Sequence, residues 1–82
     1  MRERKDIGRT FGLVLRELRK KSGLTQEQLG FESGTDRVYI SLLERGQRSP
    51  SLVVIFNLAT ALGTTATEIV SLAEQRLPAR RR

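Results

Sequence analysis

Signals that start and stop helices recur along this chain at short intervals. Four runs of helically spaced apolar residues are each followed by a glycine, the residue best suited to the left-handed turn that ends a helix; these are Gly23, Gly34, Gly46 and Gly63. Pro78 closes a fifth run. Residues that cap helix starts precede four of the runs, namely Thr25, Thr35 or Asp36, Ser51 and Thr65. The chain is therefore predicted to fold as a bundle of short helices.

The apolar spacing gives approximate bounds for five helices and contains no convincing strand. The first is predicted from Ile7 to Lys21, the second begins at Gln26, the third covers 35–45, and the last two follow Ser51 and Thr65. In the fourth helix, the residues expected to face the core are Leu52, Ile55, Phe56, Ala59 and Leu62. We predict an all-α fold with one domain, residues 7–77, between a basic N-terminal arm, 1–6, and a basic C-terminal tail, 78–82.

The composition bears on function mainly through what it lacks. The 82 residues include no cysteine and no histidine, which removes disulfides, thiolate metal sites and the commonest general base. We therefore expect no enzyme, no cofactor and no small-molecule ligand. No apolar run is long enough to span a bilayer and no export signal is visible, so we expect a cytoplasmic protein without a membrane partner. The net charge of +6 suits nucleic-acid binding, but soluble domains that bind none share it.

The twenty residues from Gln26 to Arg45 have the spacing of a helix-turn-helix unit. Gly30 stands where two steeply crossing helices need a small residue, and Gly34 stands where the turn needs a positive φ. Ile40 and Leu43 are three residues apart and are predicted to point into the core. Two capped helices around a glycine also occur in bundles that bind nothing, so the spacing alone leaves both interpretations open.

The outward face of the third helix favours DNA. At about 100° per residue, the positions opposite the core face are Val38, Ser41, Leu42 and Arg45, with Arg37 beside them at the helix start. An arginine can donate two hydrogen bonds to guanine, an aliphatic side chain can contact a thymine methyl group, and a serine hydroxyl is adaptable. We predict that this helix, 35–45, enters the major groove of double-stranded DNA. The alternative is that the two aliphatic residues pack against a partner protein.

The chain resembles the Cro and phage-repressor type of helix-turn-helix regulator, also called XRE-like. The matching stretches are Leu24 to Leu29, Gly34-Thr35, Val38 to Gly46, Arg48 to Leu52 and Ala59 to Gly63. As a small free-standing member, it is also similar to the controller proteins of restriction–modification systems in the run 36–41. The resemblance implies a five-helix phage-repressor-like domain that binds operator DNA as a symmetric dimer. Thr35 departs from the family's usual apolar residue, which implies looser packing behind the turn.

The resemblance also implies roles for individual residues. Bases would be contacted by Arg37, Val38 and Ser41, with Leu42 close by. Phosphates would be bound by Gln26, Tyr39, Arg45, Arg48 and Ser51. Arg19 and Glu44 match a buried ion pair that links the first helix to the end of the third, and the alternative for them is two unrelated surface charges.

Apolar residues outside the predicted core stripe suggest a dimer interface. They are Val53, Val54 and Leu58 on the fourth helix, and Val70 and Leu77 on the fifth. The alternative is that they are ordinary exposed aliphatic residues, which every surface has. The predicted function is a nucleoid-associated transcriptional regulator that binds a palindromic operator as a homodimer. The alternative is an antitoxin-like or adaptor protein whose main partner is another protein.

Overall fold

The computed structural model describes residues 1–78, which form five α-helices and no strand. In chain order the helices are α1 (Arg4–Lys21), α2 (Gln26–Glu32), α3 (Arg37–Glu44), α4 (Leu52–Leu62) and α5 (Ala66–Arg76). The predicted all-α class and the number of helices are therefore confirmed for this part of the chain. Of the predicted basic tail, residues 79–82 lie outside the described residues.

Two helices have bounds that differ from the prediction. α1 begins at Arg4, so the second half of the predicted N-terminal arm is helical; Asp6 in the first turn suits the positive end of the helix dipole. At α3 the capping residue is Asp36, whose carboxylate accepts a hydrogen bond of 2.8 Å from the amide of Tyr39. Asp36 therefore fixes the start of α3, and the last helical residue is Glu44.

The predicted caps position α2, α4 and α5. Thr25 and Gln28 form a complete capping box, with hydrogen bonds of 3.0 and 2.8 Å between each side chain and the other residue's amide. Ser51 and Thr65 each accept one hydrogen bond from an amide three residues further on. These bonds satisfy amides that have no partner within the helix, so they fix where each helix begins.

One core joins all five helices. Its buried apolar residues are Phe11, Val14, Leu15, Leu29, Ile40, Leu43, Leu58, Ala59 and Ile69. Ile40 and Leu43 are fully buried, as predicted from their spacing. α1 crosses the end of α3 at Gly12, where an added Cβ would lie 2.6 Å from the backbone oxygen of Glu44. Glycine at this position therefore allows the two backbones to touch.

The predicted core face of α4 is partly wrong. Leu52 and Phe56 were expected to be buried, but they are 69% and 55% exposed, whereas Leu58 is fully buried. The actual stripe is Ile55, Leu58, Ala59 and Leu62, which has the i, i+3, i+4, i+7 spacing of one helix face. The prediction failed because most positions in α4 are apolar, so that their periodicity allows more than one face. Leu58 is thereby removed from the predicted dimer interface.

Contacts near the chain ends tie α1 to α5. Arg76 donates hydrogen bonds to both carboxylate oxygens of Glu17, and the Arg2 guanidinium donates to the carbonyl of Pro78 at 3.1 Å. The hydrogen bonds from Arg76 lower the pKa of Glu17. Within residues 1–78 no single helix is long and apolar enough to cross a membrane; α4 and α5 reach that length only together, across a bend of 105°.

Candidate nucleic-acid interface

The turn between α2 and α3 sets the angle at which α3 leaves the core. Gly34 has φ of +76°, a conformation that side-chain-bearing residues rarely adopt. At Gly30 an added Cβ would lie 2.6 Å from the carbonyl carbon of Asp36, so the two helices meet at their backbones. The hydroxyl of Thr35 lies 3.1 Å from that of Ser33. The space predicted to be looser behind the turn is thus bridged by hydroxyl contacts.

The outward face of α3 presents the residues predicted to contact bases. Arg37 and Val38 are exposed, the latter by 57%, and they line one groove together. Ser41 and Leu42 follow along the helix and are half-buried. The structure therefore brings all four residues to one helix and leaves the two at its start most accessible. Their contacts with bases remain a prediction.

A buried ion pair holds the other end of α3. The Arg19 guanidinium donates to both oxygens of Glu44, at 2.6 and 3.1 Å, and the side chains are only 11% and 4% exposed. A third donor to this carboxylate is the side-chain amide of Gln26, at 3.0 Å. Arg19 also donates to the carbonyl of Leu24 at 2.9 Å. The pair therefore connects α1, the start of α2 and the end of α3, and each charged group has hydrogen bonds beyond those between the two partners.

The residues predicted to bind phosphate have different surroundings. Gln26 is half-buried and already donates to Glu44, whereas Arg45 and Arg48 are exposed. The Arg48 guanidinium lies over the ring of half-buried Tyr39, 5.8 Å from its centroid. Ser51 is exposed, and its hydroxyl caps α4. The positive charge at this edge of α3 thus comes from the helix end and from the loop that follows it.

Two features of this interface were not predicted from the sequence. Gly12 lets α1 contact the end of α3, and the only signal in the sequence is a glycine at a position where it costs helix stability relative to alanine. Phe31 on α2 is 84% exposed beside Arg37 and Val38. Its exposure follows from helical geometry, because a residue two positions after buried Leu29 lies about 200° around the helix.

Comparison with known proteins places this geometry in a family. A family model described as helix-turn-helix matches residues 15–69, which include the whole of α2, α3 and α4. The chain belongs to this helix-turn-helix family. The predicted resemblance to XRE-type, DNA-binding transcriptional regulators is thereby confirmed.

Several relatives of this helix-turn-helix protein are regulators of similar size. An HTH-type transcriptional regulator of Sinorhizobium fredii is 39% identical over 70 residues, 85% of this chain and 91% of that protein. The solved restriction–modification controller protein C.AhdI of Aeromonas hydrophila is 54% identical, with a TM-score of 0.73 over 74% of this chain and 92% of its own. The clp gene regulator ClgR of Corynebacterium glutamicum is 26% identical, with a TM-score of 0.83 over 90% and 96%.

Proposed function

We propose that this helix-turn-helix protein is a sequence-specific transcriptional regulator that places α3 in the major groove of duplex DNA. The observation that carries the proposal is the two-sided character of α3, which buries Ile40 and Leu43 and leaves Arg37 and Val38 exposed. A B-DNA major groove is about 12 Å wide and admits a single helix. In that position Arg37 donates to guanine, while Val38 contacts a thymine methyl group.

The remaining predicted roles fit around this placement. Ser41 faces a base, and Leu42 contributes apolar contact from its exposed part. Phosphates on either side are bound by Gln26, Tyr39, Arg45, Arg48 and Ser51, the last of which adds the free amides at the start of α4. Phosphate contacts orient the protein without reading sequence, so the base-reading residues alone carry the discrimination.

We also propose that the protein forms a homodimer through α4 and α5, and that this dimer binds a palindromic operator. Four large apolar residues of these helices are exposed by 46–69%: Leu52, Val53, Phe56 and Val70. Three of the four line one shallow apolar cleft between α4 and α5, the exception being Val53. A second copy would cover this face, and its own α3 would then read a half-site about 34 Å away, one turn of DNA.

Selection of bound duplexes from a random DNA pool tests the proposal. We expect a palindrome with two short arms, and sedimentation equilibrium should give a dimer. A Phe56→Glu variant should be monomeric and should bind the palindrome weakly, whereas Glu68→Gln on the exposed part of α5 should leave both properties unchanged. Recovery of no preferred duplex would overturn the proposal and favour a protein partner. A single unpaired half-site would overturn only the homodimer.

The similarity to known proteins supports a role like that of a restriction–modification controller. The 54% identity to a restriction–modification controller supports a similar role for this chain, in the cytoplasm and at the nucleoid. In that role the concentration of the protein decides operator occupancy, because dimerisation and DNA binding both follow mass action.

A further inference from the structure

A second cationic site adjoins the predicted DNA-binding residues. A cleft separates the first turn of α1 from the loop between α3 and α4, and it is lined by Glu3, Arg4, Lys5, Gly46, Gln47, Arg48 and Ser49. Three of these residues are cations and one is an anion, and all four charged side chains are exposed. The excess of positive charge favours an anionic ligand at this position.

The two walls of the cleft are held together through their backbones. Gly46 lies against α1 so closely that an added Cβ would be 2.9 Å from the Cα of Arg9. A Cβ on Gly8 would lie 3.5 Å from the carbonyl oxygen of Gly46. α1 and the loop are therefore packed backbone against backbone, and the first turn of α1 keeps a fixed position relative to the end of α3.

The cleft is continuous with the predicted phosphate contacts. Arg48 belongs to both, because it lines the cleft and lies over Tyr39 of α3. Arg2 does not line the cleft, and its guanidinium donates to Pro78 instead. Arg4 and Lys5 thus line the cleft on the α1 side, opposite Arg48 on the loop side.

The stability of α1 does not explain cations at this position. Arg4 and Lys5 occupy the first turn, where the positive end of the helix dipole disfavours positive side chains. The opposite end of the same helix has Lys20 and Lys21, where the dipole favours them. A negatively charged ligand in the cleft would offset the unfavourable position of Arg4 and Lys5.

We propose that this cleft binds a phosphate of the DNA backbone, through Arg4 and Lys5 acting with Arg48. The inference rests on the proposed function, and it adds α1 to the DNA-contacting elements at one phosphate per protomer. In a dimer bound to a palindrome, the two clefts would bind two symmetry-related phosphates. The contact carries no base preference, because phosphates are the same at every sequence.

The test compares two double variants that remove equal charge from opposite ends of α1. R4Q/K5Q removes the two cleft cations that α1 supplies and leaves Arg48 in place. K20Q/K21Q is the matched control about 24 Å away along the helix, beyond the screening length of about 10 Å at 0.1 M salt. Fluorescence anisotropy gives the affinity of each protein for the selected palindrome over a range of KCl concentrations. Circular dichroism verifies that each variant is folded.

We expect log K for R4Q/K5Q to depend less steeply on log[KCl], by about 1.8 for two lost phosphate contacts per dimer, while the control keeps the wild-type slope. Affinity at 0.1 M KCl should fall on the order of tenfold for the cleft variant. An unchanged slope for R4Q/K5Q, or an equal change in both variants, would overturn the cleft contact and leave the proposed function standing. Failure of the wild-type protein to bind any duplex would instead overturn the proposed function.

Discussion

α3 and α4 each bury apolar residues in the common core, but their exposed faces differ in kind. α3 exposes Arg37 and Val38 and is fixed at both ends, by the Asp36 cap at its start and by the buried Glu44 at its end. α4 exposes Leu52, Val53 and Phe56 and contains no charged residue. The mixed polar and apolar face of α3 resembles a surface that reads bases, whereas the uncharged and largely apolar face of α4 resembles one that another protein covers.

The two helices are also held in place by different kinds of contact. Polar contacts at both ends of α3 determine its orientation, which a base-reading helix requires because misplaced donors lose their partners. α4 is positioned by apolar packing alone, apart from the Ser51 cap. Substitutions should therefore affect α3 mainly through polar contacts and α4 mainly through burial.

The largest expected effect concerns the buried ion pair between Arg19 and Glu44 at the end of α3. Glu44→Ala leaves Arg19 buried without its partner and should lower the free energy of unfolding by about 3–5 kcal/mol. Urea unfolding followed by circular dichroism measures the change. The matched control is Glu17→Ala, which breaks the exposed pair with Arg76 and should change stability far less. Equal effects of the two variants would show that burial does not distinguish these ion pairs.

The next largest effect tests the two faces of α4. Leu58→Ala should cost about 2–5 kcal/mol of stability, because it removes a fully buried side chain from the core. Phe56→Ala should change the stability of the monomer by less than about 1 kcal/mol, but it should weaken dimerisation. Unfolding at low protein concentration separates the two effects. A larger loss of monomer stability for Phe56→Ala than for Leu58→Ala would mean that α4 buries the face predicted from the sequence, with Phe56 in the core.

These two helices also show why sequence reasoning succeeded in one region and failed in another. In α3, Ile40 and Leu43 are three residues apart on one helix face, and they were correctly predicted to be buried. In α4, the apolar residues outnumber the positions that the core can cover, and only packing against the other helices decides which are buried. The Gly12 crossing was missed because it depends on a contact between residues distant in sequence.

A smaller effect is expected where α3 would contact DNA. Arg37→Ala should cost about 1–3 kcal/mol on the selected palindrome and much less on random duplex, because a bidentate contact to guanine is sequence-specific. Arg48→Ala should weaken both by a similar factor and reduce the salt dependence, as expected for a phosphate contact. Anisotropy titrations with both duplexes measure these losses. If Arg37→Ala lost equal affinity for the two duplexes, Arg37 would contact a phosphate and would have no base-reading role.

The smallest effect concerns pH and the exposed pair between α1 and α5. The Arg76 hydrogen bonds lower the pKa of Glu17 in the folded state below its ordinary value near 4.5. The folded state therefore favours the ionised carboxylate, and the resulting stability is present above the unfolded-state pKa and disappears as pH falls through the lowered value.

Wild type should be slightly more stable than Glu17→Gln at pH 7, and the stabilities of the two proteins should converge in strongly acid solution. The difference should also shrink in high salt, because both side chains are exposed and their charges are screened. A difference that instead persisted or grew in acid would mean that Glu17 stabilises the protein through packing and not through its charge.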